Sequence, residues 1–264
     1  MKMGKVAVVT GGSSGIGLCT ARSLKEKGCT VYELSRHNGT EEFFHITADV
    51  TDEEQVASAV AQVTEKEGRI DLVVNCAGFG ISGATEFTET EDAKRQMEVN
   101  FFGMVHMNKA VIPIMREHGG GRIINISSVA APSPIPFQTY YSASKAAISS
   151  YTCALANEVA PFGISVCAIL PGDTSTGFTK ARKKSVEGDD VYGGRISRSV
   201  KVMEHDEMNG TDPSVTGAYI AKIAFKTNVK PYYAVGFKNK LFCLIMKLLP
   251  IGLSNKLVGM IYAK

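Results

Sequence analysis

Tyr141-Ser142-Ala143-Ser144-Lys145 sets a phenol and an ammonium group four residues apart. On a helix that spacing puts both side chains on one face, where they can act on a single bound molecule. A free tyrosine titrates near pH 10, too high for acid-base work at neutral pH, and a neighbouring cation lowers that value by favouring the phenolate. Lys145 is expected to be that cation. A second chemical element is Thr10-Gly11-Gly12-Ser13-Ser14-Gly15-Ile16-Gly17, which follows one β-branched run and opens a helical pattern. Glycines in that setting bring backbone N–H groups and a helix N-terminus up to a pyrophosphate. A third is Ser35-Arg36, at the end of the next β-branched run. A hydroxyl and a guanidinium there bind a ribose 2′-phosphate, which a carboxylate would repel, so NADP(H) is favoured. Glu33, two residues earlier, leaves NAD(H) open.

The elements that must position these groups read as an alternation of strands and helices. Residues 5–10, 30–35, 43–48, 72–75, 122–127, 164–170 and 232–235 read as strands, and 16–27, 52–67, 91–116, 139–160 and 213–225 as helices. Such an alternation predicts one α/β domain over residues 1–264, a doubly wound seven-stranded parallel sheet with right-handed crossovers and helices on both faces. Asp52 and Asp212-Pro213 supply helix starts, and Gly28, Gly68 and Gly163 supply stops. Residues 173–210 carry charges and glycines with few apolar anchors and read as an irregular lid over the substrate.

Composition narrows the function classes. The chain has 264 residues, 44% apolar and 21% charged, with a net charge of +3, too small to point to nucleic acid. Its nearest approach to a basic cluster, Arg182-Lys183-Lys184, reads as a solvated loop. Cys19, Cys29, Cys76, Cys153, Cys167 and Cys243 are scattered and the five histidines lack ligand spacing, so a reduced protein with no metal is expected. The apolar run at residues 6–9 is too short for a signal-peptide core, and a cytoplasmic location is expected. Residues 237–264 form an apolar helical extension whose segment 241–253 is interrupted by Lys247 and Pro250 and is shorter than a membrane span. It is expected to dock over the substrate mouth or on a neighbouring subunit. Peripheral membrane contact through Lys238, Lys240 and Lys247 stays open.

Taken in order, the glycine turn, Asp49, Asn75-Cys76-Ala77-Gly78, Asn100, Ser128, Tyr141, Lys145 and Pro171-Gly172 give a pattern far more specific than any one part. The chain resembles the short-chain dehydrogenase/reductase family from end to end. That resemblance implies a Rossmann sheet, a nicotinamide cofactor and the interconversion of an alcohol and a carbonyl. It implies a pyrophosphate on Gly11, Ser13, Ser14, Gly15, Ile16 and Gly17, an adenine against Asp49 and Val50, and an adenosine ribose passing Asn75, Ala77 and Gly78. Cys76 departs from the family's usual Asn-Asn-Ala-Gly and leaves one hydrogen bond of that turn in question. The catalytic serine lies 13 residues before the tyrosine in the family, which selects Ser128 and Tyr141 over Ser127 and Tyr140. Ser127 reads as a backbone cap. Asn100 is implied to hold a water linking Lys145 to solvent. After Pro171-Gly172, Thr176 is the first choice to hold the nicotinamide carboxamide and Thr174 the second.

Phe79, Ile81, Val129, Ile135, Phe137 and Phe178 give the expected substrate pocket apolar walls. Residues 127–139 with the turn leading to Thr176 and Phe178 look most like the hydroxysteroid and retinol dehydrogenase branch, so the expected substrate is a hydroxysteroid or bile acid. A 3-oxoacyl-thioester reductase shares every catalytic residue and is the enzyme alternative; an NADP(H)-sensing module is the non-enzyme one. The family also implies a homodimer or homotetramer through the long helices 91–116 and 139–160.

Overall fold

Val6–Thr10, buried throughout, forms the first strand, and runs of this kind belong at the centre of a sheet covered on both faces. The computed structural model describes residues 4–37 and 39–263; Met1, Lys2, Met3, Asn38 and Lys264 lie outside the described residues. Along the chain come β1 (Val6–Thr10), α1 (Gly15–Glu26), β2 (Thr30–Ser35), β3 (Phe44–Thr47), α2 (Glu53–Glu67), β4 (Leu72–Asn75), β5 (Ile81–Ser82), α3 (Thr90–Met97) and α4 (Gly103–Glu117). They are followed by β6 (Gly121–Ile126), α5 (Thr139–Val159), β7 (Ile164–Leu170), α6 (Phe178–Ala181), β8 (Lys183–Lys184), α7 (Arg195–Met208), α8 (Pro213–Ala224), β9 (Tyr232–Ala234), α9 (Phe237–Leu248) and α10 (Ile251–Tyr262).

Seven strands pair in the order β3-β2-β1-β4-β6-β7-β9, every pair parallel. The order reverses direction at β1, between β2 and β4, and that switch point opens a crevice at the strands' carboxyl ends. One face of the sheet packs Val56 and Val63 of α2, Met107 and Val111 of α4 and Leu155 of α5. The other packs Ala21 and Leu24 of α1 against Ile220 and Ala224 of α8. The doubly wound architecture expected from the strand-helix alternation is therefore the one observed.

Local signals act as read. The Asp52 carboxylate accepts from the N–H groups of Glu54 and Gln55, and Asp212 caps Ser214 at α8. Two segments differ from expectation. The helix expected over 91–116 is broken at Glu98–Phe102 by a π-helical turn, which holds Asn100. Residues 173–210, expected to be irregular, contain α6, β8 and the four-turn α7, whose Ile196, Val200 and Met203 are buried at i, i+4 and i+7. That periodicity sits in the sequence, obscured by Gly193-Gly194 and the surrounding charges.

Candidate active site

Gly11 turns with φ +65°, a conformation glycine adopts without strain, and a Cβ there would lie 3.0 Å from the Ala77 backbone. A Cβ on Gly17 would run into the Gly11 carbonyl, so this glycine lets α1 start directly against the turn. The N-terminus of α1 thereby faces a cavity of about 590 Å³ lined by Gly11, Ser13, Ser14, Ser35, Arg36, Asp49, Val50, Ala77, Gly78 and Phe79. The Thr10 hydroxyl accepts from the N–H groups of Cys76 (3.1 Å) and Ala77 (3.2 Å), so the turn is held without the asparagine that Cys76 replaces. Burial pushes the Cys76 thiol up to about 12.

A dinucleotide fits these residues: backbone donors and a helix N-terminus lie at one side of the cavity and cations at its rim. Arg36 lines it together with His37 and Arg95, two residues the sequence reading did not pick out. Arg95 enters because α3 runs alongside the cavity mouth. Glu33 is fully buried, hydrogen-bonded to His45 across the β2–β3 pair, with Ser35 Oγ at 3.3 Å. Its carboxylate thus belongs to the sheet interior. The Asp49 Oδ1 accepts from Thr51 N–H (3.0 Å) and Oγ1 (2.8 Å) while the residue lines the cavity.

Asn75 corrects an expectation. It does not line the cavity; its amide donates to Asn108 Oδ1 at 2.9 Å and Asn125 Oδ1 at 2.8 Å, and Asn125 donates on to Thr152. Asn75 ties β4 and β6 to α4 and α5. Its sequence neighbours Ala77 and Gly78 do line the cavity.

The four residues expected to act on the substrate converge beyond the glycine turn. Asn100 Oδ1 accepts from Phe79 N–H at 2.9 Å, and its Nδ2 reaches the Phe79 carbonyl (3.0 Å) and Ser144 Oγ (3.1 Å). Its amide is thereby committed to holding the Phe79 backbone and α5 together. A Cβ on Gly78 would sit 3.1 Å from Asn100 Oδ1 and 3.7 Å from Lys145 Nζ, so asparagine and lysine flank one spot. Lys145 Nζ donates to the Ile126 carbonyl at 2.8 Å and lies 5.6 Å from the centre of the Tyr141 ring. Burial lowers its pKa to about 8. Ser127 donates to the Lys145 carbonyl at 2.8 Å, the backbone role expected of it.

Tyr141 departs from expectation. Burial holds its phenol above the usual tyrosine value, while the Ser128 hydroxyl and the Arg182 charge pull it down and Asp173 pushes it up. Arg182 thus joins Lys145, 5.6 Å from the ring, as a cation beside the phenol. Arg182, expected in a solvated loop, is 4% exposed, ion-paired with Glu207 of α7 and 5.6 Å from the Phe178 ring. A run of three basic residues gives no hint that one of them turns inward.

Phe178 in turn lies 5.7 Å from the Tyr141 ring, and Ile135 and Phe137 pack with Ile196, Val200 and Met203 under α7. Phe137 has φ +60°, a strained backbone for an aromatic residue and a mark of functional sites. Ile81 is buried in β5, which pairs with β8, and the Val129 N–H donates to the Pro171 carbonyl at 3.0 Å. Thr174 donates to the Gly172 carbonyl at 3.0 Å, closing its own turn, whereas Thr176 lies against Gly15, where a Cβ would be 3.4 Å from its own.

Known proteins resemble this chain in sequence and in fold. The family model described as short chain dehydrogenase matches residues 5–187. A 3-ketodihydrosphingosine reductase of Bacteroides thetaiotaomicron is 43% identical over 88% of this chain and 90% of its own. A 3-dehydrosphinganine reductase of Danio rerio is 37% identical over 68% of this chain and 60% of its own. A solved short-chain dehydrogenase from Streptomyces avermitilis superposes with a TM-score of 0.84 at 30% identity, covering 92% of each chain. The hydroxysteroid branch expected from the loops finds no support among these relatives. The chain belongs to the short-chain dehydrogenase family, whose fold binds nicotinamide cofactors, and it is an oxidoreductase of that family.

Proposed function

We propose that the chain is an NADP(H)-dependent reductase that converts the ketone of a long-chain amino ketone of the 3-ketodihydrosphingosine type to a secondary alcohol. The observation that carries this reading is the 43% identity, over nearly the whole of both chains, to a bacterial enzyme of that name. Three features of the site support it. Phe178, Ile135 and Phe137 give an alkyl chain apolar walls. Asp173 acts electrostatically on Tyr141, and Asp206 on Asp173, which suits an ammonium group next to the reacting carbonyl. Arg36 and Arg95 at the cavity rim, with Glu33 turned into the sheet, favour a 2′-phosphate.

In this reading Gly11, Ser13, Ser14, Gly15, Ile16 and Gly17 would hold the pyrophosphate, Ser35 and Arg36 the 2′-phosphate, and Asp49 and Val50 the adenine. Ala77 and Gly78 would border the adenosine ribose. Pro171, Gly172 and Thr176 would orient the nicotinamide, Thr174 fixing the turn behind them. The reduced cofactor supplies the hydride that adds to the carbonyl carbon. Ser128 would donate a hydrogen bond to the carbonyl oxygen, and Tyr141 would give up its phenolic proton to that oxygen as it becomes an alkoxide. A phenol kept protonated by burial carries the proton that the reductive direction consumes. Lys145 would bond the nicotinamide ribose and, with Asn100 beside it, return a proton towards Tyr141.

The purified chain is tested with NADPH and NADH against 3-ketodihydrosphingosine, an acetoacetyl thioester and a set of ketosteroids. Oxidation of NADPH with dihydrosphingosine as product by mass spectrometry is expected. Reduction of the thioester or a steroid, with no sphingoid product, overturns the assignment.

A further inference from the structure

We infer that the α9–α10 pair seats the protein on an anionic bilayer surface next to the mouth of the substrate pocket. On α9, Phe237, Leu241, Leu244, Ile245 and Leu248 follow i, i+4, i+7, i+8 and i+11, which is one face of a helix, and all five are exposed. Phe237 is 79% and Leu248 74% exposed. At 100° per residue, Asn239, Phe242, Cys243 and Met246 fall on the opposite, inward side. Lys238 stands on one border of the apolar face, and Lys240 and Lys247 on the other. Past Pro250 the apolar surface continues through Ile251, 87% exposed, and Leu253. Lysines flanking an apolar helical face can bury their stems and keep their charges at headgroup level.

Charge decides which occupant this face suits. From residue 213 to 264 the chain has no aspartate or glutamate, while it has lysines at 222, 226, 230, 238, 240, 247, 256 and 264. A second copy meeting this face through its own would set lysine against lysine with no carboxylate of this segment to pair them. Anionic lipid phosphates supply the missing charge, and acyl chains the missing apolar contact. Twelve residues of helix reach about 18 Å, too short to span a bilayer. Among the described residues no helix is long and apolar enough to cross a membrane. The pair would therefore lie in the interface plane.

Its inward side joins the catalytic half of the molecule. A Cβ on Gly172 would lie 2.5 Å from Asn239 Nδ2, so α9 rests on the turn after β7. Tyr262 and Ala263, at the end of α10, pack on the cluster of Phe137, Ile196 and Val200, and Arg195 Nε donates to the Ala263 carbonyl at 2.8 Å. The surface that would meet lipid thus belongs to the segment that packs on Phe137 and on the turn after β7. A long-chain substrate could then reach the pocket without crossing bulk water.

The test is flotation of the full chain with vesicles of phosphatidylcholine alone and of phosphatidylcholine with phosphatidylglycerol, no substrate present. Flotation with the anionic vesicles, weakened by salt, is expected. The doubly substituted Leu248→Asp/Ile251→Asp protein should partition at least ~10-fold more weakly with an unchanged thermal midpoint. Failure of the wild type to float, or equal flotation of the variant, overturns the inference. So does an equilibrium sedimentation result in which a wild-type dimer that does not float becomes a monomer on substitution. Because binding is read without substrate, these outcomes leave the reductase assignment untouched; a protein that floats but reduces no ketone fails only that assignment.

Discussion

β7 and α9 are both strongly apolar, yet their surroundings are opposite. In β7, Val166, Cys167, Ala168, Ile169 and Leu170 are all buried between helices on two faces. In α9 no residue is fully buried, and five large hydrophobics point outward. Apolar composition says that a segment needs a partner; only topology says whether the chain itself provides one. For β7 the sheet and its flanking helices do so. For α9 the body covers one side alone, and the other is left for something outside the chain.

The largest way to sharpen this contrast is chemical. Tyr141→Phe should lower kcat/KM for ketone reduction by about 10³-fold, within the range for a lost general acid, and leave vesicle flotation unchanged. The two directions should differ in their pH dependence. Since burial raises the Tyr141 pKa, the phenol stays protonated through neutral pH. Reduction should therefore be flat there, and oxidation of the alcohol should climb with pH as tyrosinate forms.

Next in size is core truncation. Ile169→Ala, at a fully buried position, should cost about 3 kcal/mol by urea unfolding. Arg182→Met should come close to that, because it leaves the Glu207 carboxylate without its cation, at a cost of about 3 kcal/mol. It should also move the rise of the oxidation rate to higher pH, since the downward pull on Tyr141 is lost. An unmoved pH profile would separate Arg182 from the phenol and make it purely structural. Arg36→Asp should reduce kcat/KM with NADPH by about 10-fold or more and spare NADH, through lost charge-assisted pairing with the 2′-phosphate. The smallest effect belongs to the outer face of α9. Leu244→Ala, 54% exposed, should change unfolding free energy by no more than about 0.5 kcal/mol. A larger loss would mean that α9 is covered by a second copy of the chain.

Much of the fold is legible from the sequence because parallel strands buried on both faces read as unbroken apolar runs, as in residues 6–9 and 166–170. The glycine turn is legible for a related reason: Gly11 and Gly17 sit where backbone meets backbone, and other residues would collide. What escaped the sequence reading depends on the direction in which a polar side chain points. Asn75 lies two residues before Ala77, which lines the cavity, and its amide is taken up by the Asn108–Asn125 network. Arg182, beside two exposed lysines, turns inward because Glu207 arrives from α7, 25 residues later. Neither direction is encoded by residue type or local spacing.

The π turn at Glu98–Phe102 limits which deletions this helix can accept. An α-helix advances about 100° per residue, so the extra residue in the turn lets the segments before and after it face independent directions. Asn100 aims at the Phe79 backbone while Met104, Met107 and Val111 keep their places in the core. Deleting one residue there would restore regular winding, and one of those two alignments would have to be given up. No single deletion there would leave an unbroken helix that keeps both.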